Sequence, residues 1–176
     1  MNMVKAYVIM NCVLGFESEV ITSLRKINDV REAHGTLGLY DVIVQLESDS
    51  DTHLEETITM IRKIPKINST ITLTRSESGE LFQTSEKLID AMLGKNHIQA
   101  YVVIHCEKGQ EYTTLKNLSY ISEVKEADVI FGFYDLICKV EALDEQILAN
   151  IVTKAIRSLP HIKTSMTLNV VKEQES

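Results

Sequence analysis

The amino-acid sequence predicts an α+β fold built from one βαββαβ unit written twice in tandem. Three observations predict it. Sliding the chain along itself lays "AYVIMNCVLG" (Ala6 to Gly15) on "AYVVIHCEKG" (Ala100 to Gly109). The same offset lays "GLYDVIVQLE" on "GFYDLICKVE", and one added residue brings "IRKIPKINSTITL" onto "IRSLPHIKTSMTL". Within each copy, apolar positions alternate between the strand period and the helix period in the order β-α-β-β-α-β, the split βαβ arrangement of ferredoxin-like units.

Each element has a local reason. Tyr7 to Leu14 is an apolar strand ending at Gly15. "ESEVITSLRKI" spaces Val20, Leu24 and Ile27 as one helical face, with Glu17 and Glu19 in the first turn, where the helix dipole favours anions. Val30 to Gly38 and Leu39 to Glu47 read as two strands of a hairpin meeting at Gly38. In "DTHLEETITMIRKIP", Leu54, Ile58 and Ile61 share a face and Pro65 ends the helix. Ile67 to Arg75 alternates as the last strand, with Ile67, Ile71 and Leu73 expected under the helices and Thr70, Thr72 and Thr74 on the other face. In the second copy the helices are "EYTTLKNLSYI" and "DEQILANIVTKAIRSL". Its last strand sets Ile162, Met166 and Leu168 against Ser165, Thr167 and Asn169.

The expected boundaries are a first domain over 1–76, a linker over 77–97 and a second domain over 98–176. Within the linker, Thr84 caps a short helix that runs through Met92 and stops at Gly94.

Composition narrows the function classes. The 176 residues are 44% hydrophobic and 24% charged, with a formal net charge of -7, which argues against a surface that neutralises many phosphates. Direct nucleic-acid binding is therefore not expected. No apolar run reaches membrane-spanning length and no leader is visible, so a cytoplasmic chain with no membrane association is expected. Cys12, Cys106 and Cys138 lie in strand-like runs without paired spacing and read as buried thiols. His34, His53, His97, His105 and His161 show no metal-ligand spacing, and no phosphate loop, nucleophile elbow or zinc-protease motif occurs. Neither a metal, a cofactor nor a catalytic residue is proposed.

The ordered set "AYVxxxC", Gly-x-Tyr-Asp before an alternating strand, "IRKIP" or "IRSLP", and "STITL" or "TSMTL" resembles the effector domain of the leucine-responsive regulator/AsnC transcription-factor family, once per copy. The resemblance implies a non-enzymatic, ACT-like module for sensing a small molecule, with an amino acid as effector, and for assembly into homo-oligomers. It also implies that the two copies pack as a pseudo-dimer through their antiparallel sheets. Family regulators carry a helix-turn-helix, and only "MNMVK" precedes the first strand here, so the expected route to DNA is a helix-turn-helix-bearing relative. Two alternatives stay open: a ferredoxin-like dimeric enzyme of the small-oxygenase or haem-binding type, and a pure scaffold.

The candidate ligand-binding residues are Gly38, Tyr40, Asp41, Thr70 and Thr72, with Gly132, Tyr134, Asp135, Ser165 and Thr167. The glycines are accounted for by hairpin geometry alone, although a ligand carboxylate can use the bared N–H groups of such a turn. The tyrosines read either as packing residues or as ligand contacts. Asp41 and Asp135 either bond their own turn or receive an ammonium group; the resemblance favours the ammonium. On that reading, alanine at either aspartate weakens binding and spares the fold. The threonines and Ser165 read as pocket lining or simply as good strand formers.

Overall fold

A computed structural model describes residues 3–77 and 97–171. The chain divides into two compact units, Met1–Arg75 and Ser76–Ser176. The short helix expected from Thr84 to Met92 lies outside the described residues.

The first unit runs β1 (Val4–Cys12), α1 (Glu17–Arg25), β2 (Val30–Leu37), β3 (Val42–Ser48), α2 (Asp51–Arg62) and β4 (Ile67–Glu77). The second runs β5 (Ile98–Cys106), α3 (Glu111–Ser119), β6 (Val124–Phe131), β7 (Leu136–Ala142), α4 (Glu145–Asn150, continuing as a π-helical stretch, Ile151–Ile156) and β8 (Ile162–Val170). This is the βαββαβ order twice. Among the described residues, no helix is long and apolar enough to cross a membrane.

Each unit forms an antiparallel sheet, ordered β2-β3-β1-β4 in the first and β6-β7-β5-β8 in the second. The first strand of each unit is central because it pairs on both edges. Its sequence explains why: "AYVIM" and "AYVVI" are apolar on both pleat faces, and Ala6 to Met10 and Ala100 to Ile104 are buried throughout. The even-numbered side chains of β1 meet Val20 and Leu24 of α1 and Leu54, Ile58 and Ile61 of α2 in one core. The second core repeats this with Val102 and Ile104 against Leu115, Leu118, Leu148, Val152 and Ile156. Ser50 caps α2 by accepting the His53 N–H at 3.1 Å, and Asp144 caps α4 by accepting the Ile147 N–H at 2.8 Å.

The one-residue mismatch between the copies has a structural cause. From cap to closing arginine, the second copy has one residue more than the first. The extra residue is absorbed as a wide turn, in which the Arg157 N–H reaches the Val152 carbonyl at 3.0 Å. Leu148, Val152 and Ile156 thereby keep the inward positions that Leu54, Ile58 and Ile61 hold in the regular helix. Deleting the exposed Lys154 is therefore expected to give a regular helix and to change stability by about 1 kcal/mol or less. Thermal melting followed by circular dichroism checks this; loss of a cooperative transition would show that the wide turn is required.

One expectation fails. Directly paired residues of an antiparallel ladder share a face. Thr70, Thr72 and Thr74 stand opposite Met10, Val8 and Ala6, so the threonines face the helices; Ile71 and Leu73, opposite Ile9 and Tyr7, face away. In the second unit Ser165, Thr167 and Asn169 oppose Ile104, Val102 and Ala100, while Met166 and Leu168 face away. The cause is a bulge in the last strand, where Asn68 is the extra residue opposite the Asn11–Cys12 step, repeated by Lys163 opposite the His105–Cys106 step. It leaves Ile67 and Ile162 on the helix side, paired with Cys12 and Cys106, and reverses the alternation beyond them.

Candidate functional site

The Gly-x-Tyr-Asp turn joins β2 to β3 and β6 to β7. Gly38 (φ 146) and Gly132 (φ 134) adopt positive-φ conformations that side chains disfavour, which explains the glycine at this point of the turn. The Thr36 N–H donates to the Asp41 carbonyl at 2.8 Å, and the Ile130 N–H donates to the Asp135 carbonyl at 3.0 Å. These bonds close the two hairpins. Each is also tied to the central strand, since the Asp41 N–H donates to the Met10 carbonyl and the Asp135 N–H to the Ile104 carbonyl, both at 2.9 Å.

The carboxylates do something that neither sequence reading anticipated. Asp41 Oδ2 accepts the Cys12 N–H at 3.0 Å, and Asp135 Oδ2 accepts the Cys106 N–H at 2.9 Å. Each aspartate reaches across to the central strand and satisfies an amide just past the end of its ladder with the hairpin strand. Among the described residues, the other oxygen, Oδ1, of each aspartate makes no hydrogen bond. A carboxylate fixed through one oxygen with the other open can receive a donor without reorganising. Burial, with the adjacent aspartate second, pushes the Cys12 and Cys106 thiols up to about 11. Both are therefore protonated at neutral pH and are poor nucleophiles.

The remaining candidates divide between the two faces. Tyr134 directs its hydroxyl toward Met166 Sδ at 3.7 Å, on the side away from the helices. The Tyr40 carbonyl accepts the Thr36 hydroxyl at 2.8 Å. Thr70, Thr72, Ser165 and Thr167 face the helices, across the central strand from the hairpins. Ser165 accepts the Arg157 Nε–H at 2.9 Å, and the Thr72 and Thr167 hydroxyls are buried without a hydrogen-bond partner. The hairpin residues thus come together in each unit, and the strand hydroxyls do not join them.

The second hairpin is bordered by a cleft of about 420 Å³, lined in part by Glu111, Tyr112, Phe131, Gly132, Tyr134 and Asp135. The His105 ring lies against Tyr134 (centroids 4.7 Å apart) and meets Phe133 edge-on at 6.0 Å, and His105 Nδ1 is 3.6 Å from Asp135 Oδ2. The sequence candidates did not include His105, Tyr112, Phe131 or Phe133. Their signal was present in the repeat alignment, where they stand against Asn11, Ser18, Leu37 and Leu39.

The family model for the Lrp/AsnC ligand binding domain matches residues 15–78 and again 99–176. The chain belongs to the Lrp/AsnC ligand-binding domain family. Both Gly-x-Tyr-Asp hairpins lie inside the matched segments, so each Lrp/AsnC domain carries its own. A curated homocitrate synthase of Sulfurisphaera tokodaii is 29% identical over 129 residues, 70% of this chain and 26% of its own length. The chain thus spans about a quarter of the length of the curated relatives it matches. Among solved structures, FFRP-DM1 is 38% identical over 42% of this chain and 99% of its own, with a TM-score of 0.40. A siroheme decarboxylase is 8% identical, covers 97% of this chain and 72% of its own, and superposes with a TM-score of 0.69. That likeness shows the ferredoxin-like α+β fold of the tandem Lrp/AsnC domains and nothing of their chemistry. Among the described residues, no group of three or more His, Cys, Asp or Glu is placed to hold a metal ion.

Proposed function

We propose that the chain is a non-enzymatic sensing and assembly module whose effector is an amino acid received at the Gly-x-Tyr-Asp hairpin. The observation that carries this reading is the state of Asp41 and Asp135: one oxygen is anchored on a central-strand amide and the other is open beside a glycine turn. An ammonium group meets the open oxygen, and the ligand's carboxylate takes N–H groups of the turn, so both charges of an amino acid are matched. Occupancy is passed on through assembly, either with further copies of this chain or with a helix-turn-helix-bearing relative. The net charge of -7 supports a route to DNA through such a partner rather than through this chain.

Calorimetric titration with a panel of amino acids, paired with sizing of the protein in each, tests the reading. Heat from at least one compound and a ligand-dependent change in assembly size are expected. Silence in both measurements would sink the proposal. A haem or flavin absorption spectrum in the purified protein would instead favour the enzyme alternative.

A further inference from the structure

The two hairpins share their backbone and their aspartate, yet differ around them. Asn11, Ser18, Leu37 and Leu39 of the first copy stand where the second has His105, Tyr112, Phe131 and Phe133, while Phe16 and His34 of the first copy give way to Gln110 and Asp128. The four rings gained by the second copy are gathered around one place. Tyr112 and Phe131 line the cleft with Tyr134; His105 lies along the Tyr134 ring, and Phe133 meets both of those rings edge-on. Phe131 is 68% exposed and Tyr112 59%, so neither ring contributes to the core of its own domain. Large aromatic side chains left in water beside a cleft mark a surface that gains by being covered. Among the described residues, the charged side chains lining the cleft are Glu111 and Asp135, with no lysine or arginine. A ligand that suits both properties carries a ring and a positive charge.

We propose that the second hairpin is specialised for a small ligand that combines an aromatic ring with an ammonium group, and that the first hairpin is not. The ring packs among Tyr112, Phe131 and Tyr134, while the ammonium lies at Asp135 Oδ1, with Glu111 adding a second negative charge. This rests on the reading of the hairpin as a ligand site and narrows it to one domain and one ligand class. An aromatic amino acid and a simple aromatic amine share this chemistry, and the test separates them.

The experiment titrates the full chain calorimetrically with L-phenylalanine, phenethylamine, L-leucine and hydrocinnamate. Phenylalanine or phenethylamine is expected to bind with one site per chain. Leucine, which lacks the ring, is expected to bind about tenfold more weakly or worse, and hydrocinnamate, which lacks the ammonium, to give no heat. Tyr112→Ser combined with Phe131→Leu restores the residues of the first copy at two exposed positions. It is expected to cost the aromatic ligand about tenfold or more in affinity. Tyr120→Ser, at an exposed aromatic outside the cleft lining, is expected to change nothing. Binding of leucine as tight as phenylalanine, two equal sites per chain, or full affinity in the double variant would overturn the proposal while leaving amino-acid sensing in place. Phenethylamine binding without phenylalanine binding would support the aromatic cleft and sink the amino-acid reading. No binding by any compound would overturn both.

Discussion

Alanine in place of Asp135 or Asp41 is expected to destabilise its domain by about 1–3 kcal/mol, whereas asparagine is expected to hold the fold and lose the charge. The sequence alone suggested that alanine would be harmless to folding. The geometry reverses that expectation, because Oδ2 of each aspartate is the acceptor for a central-strand amide, Cys12 N–H in one domain and Cys106 N–H in the other. Removing the acceptor leaves a partly buried N–H without a partner, and the penalty is the desolvation of that group rather than the modest net value of the bond. Asparagine still offers a carbonyl oxygen to the amide but presents no negative charge to an ammonium. Denaturant unfolding and ligand titration on both variants separate the two roles. Alanine variants as stable as the parent would show that the carboxylate does not hold the end of the central strand. An Asp135→Asn variant that kept full ligand affinity would remove Asp135 from the proposed ammonium site.

Much of this architecture was legible because it is governed by nearest neighbours in sequence. The apolar run from Ala6 to Met10 is continuous because both faces of β1 are buried there, leaving little room for a polar side chain. Leu54, Ile58 and Ile61 declared the buried face of α2 by spacing alone. The error arose where strand pairing decides. "STITL" alternates cleanly, but which face is which depends on the extra residue Asn68 just ahead of it, and only the pairing with β1 shows that Asn68 bulges. The extra residue in the second copy is legible as an offset of one, but its place in the wide turn ending at Arg157 is not. The hairpin motif itself was visible, but the ring cluster around its second copy was not. His105, Tyr112 and Phe131 come from a strand end, a helix start and a hairpin arm, and only the fold brings them together.

The largest single loss of stability is expected from Glu141→Ala, at about 3–5 kcal/mol, while Glu47→Ala at the equivalent position of the first domain is expected to cost about 1 kcal/mol or less. The two glutamates occupy the same place on the third strand of their units, and their surroundings have diverged. Glu47 is 32% exposed and pairs with Arg31 at 2.8 Å, a surface ion pair that water screens on both sides. Glu141 is 4% exposed and gathers four partners. Gln99 donates to its Oε1 at 2.7 Å, Lys125 Nζ lies 3.4 Å from Oε2, and Lys139 Nζ and His97 Nε2 lie 3.8 and 3.5 Å from Oε1. Lys139 is itself 4% exposed, so deleting the carboxylate removes one negative charge from beside a buried ammonium. Glutamine at this position keeps an acceptor for Gln99 but no charge for Lys139, and it is expected to fall between the parent and alanine. Pairing Glu141→Ala with Lys139→Met separates the causes: if the loss comes from the negative charge removed beside Lys139, the double variant regains a large part of it. Equal losses at Glu47 and Glu141 would show that the buried cluster adds nothing beyond an ordinary surface pair.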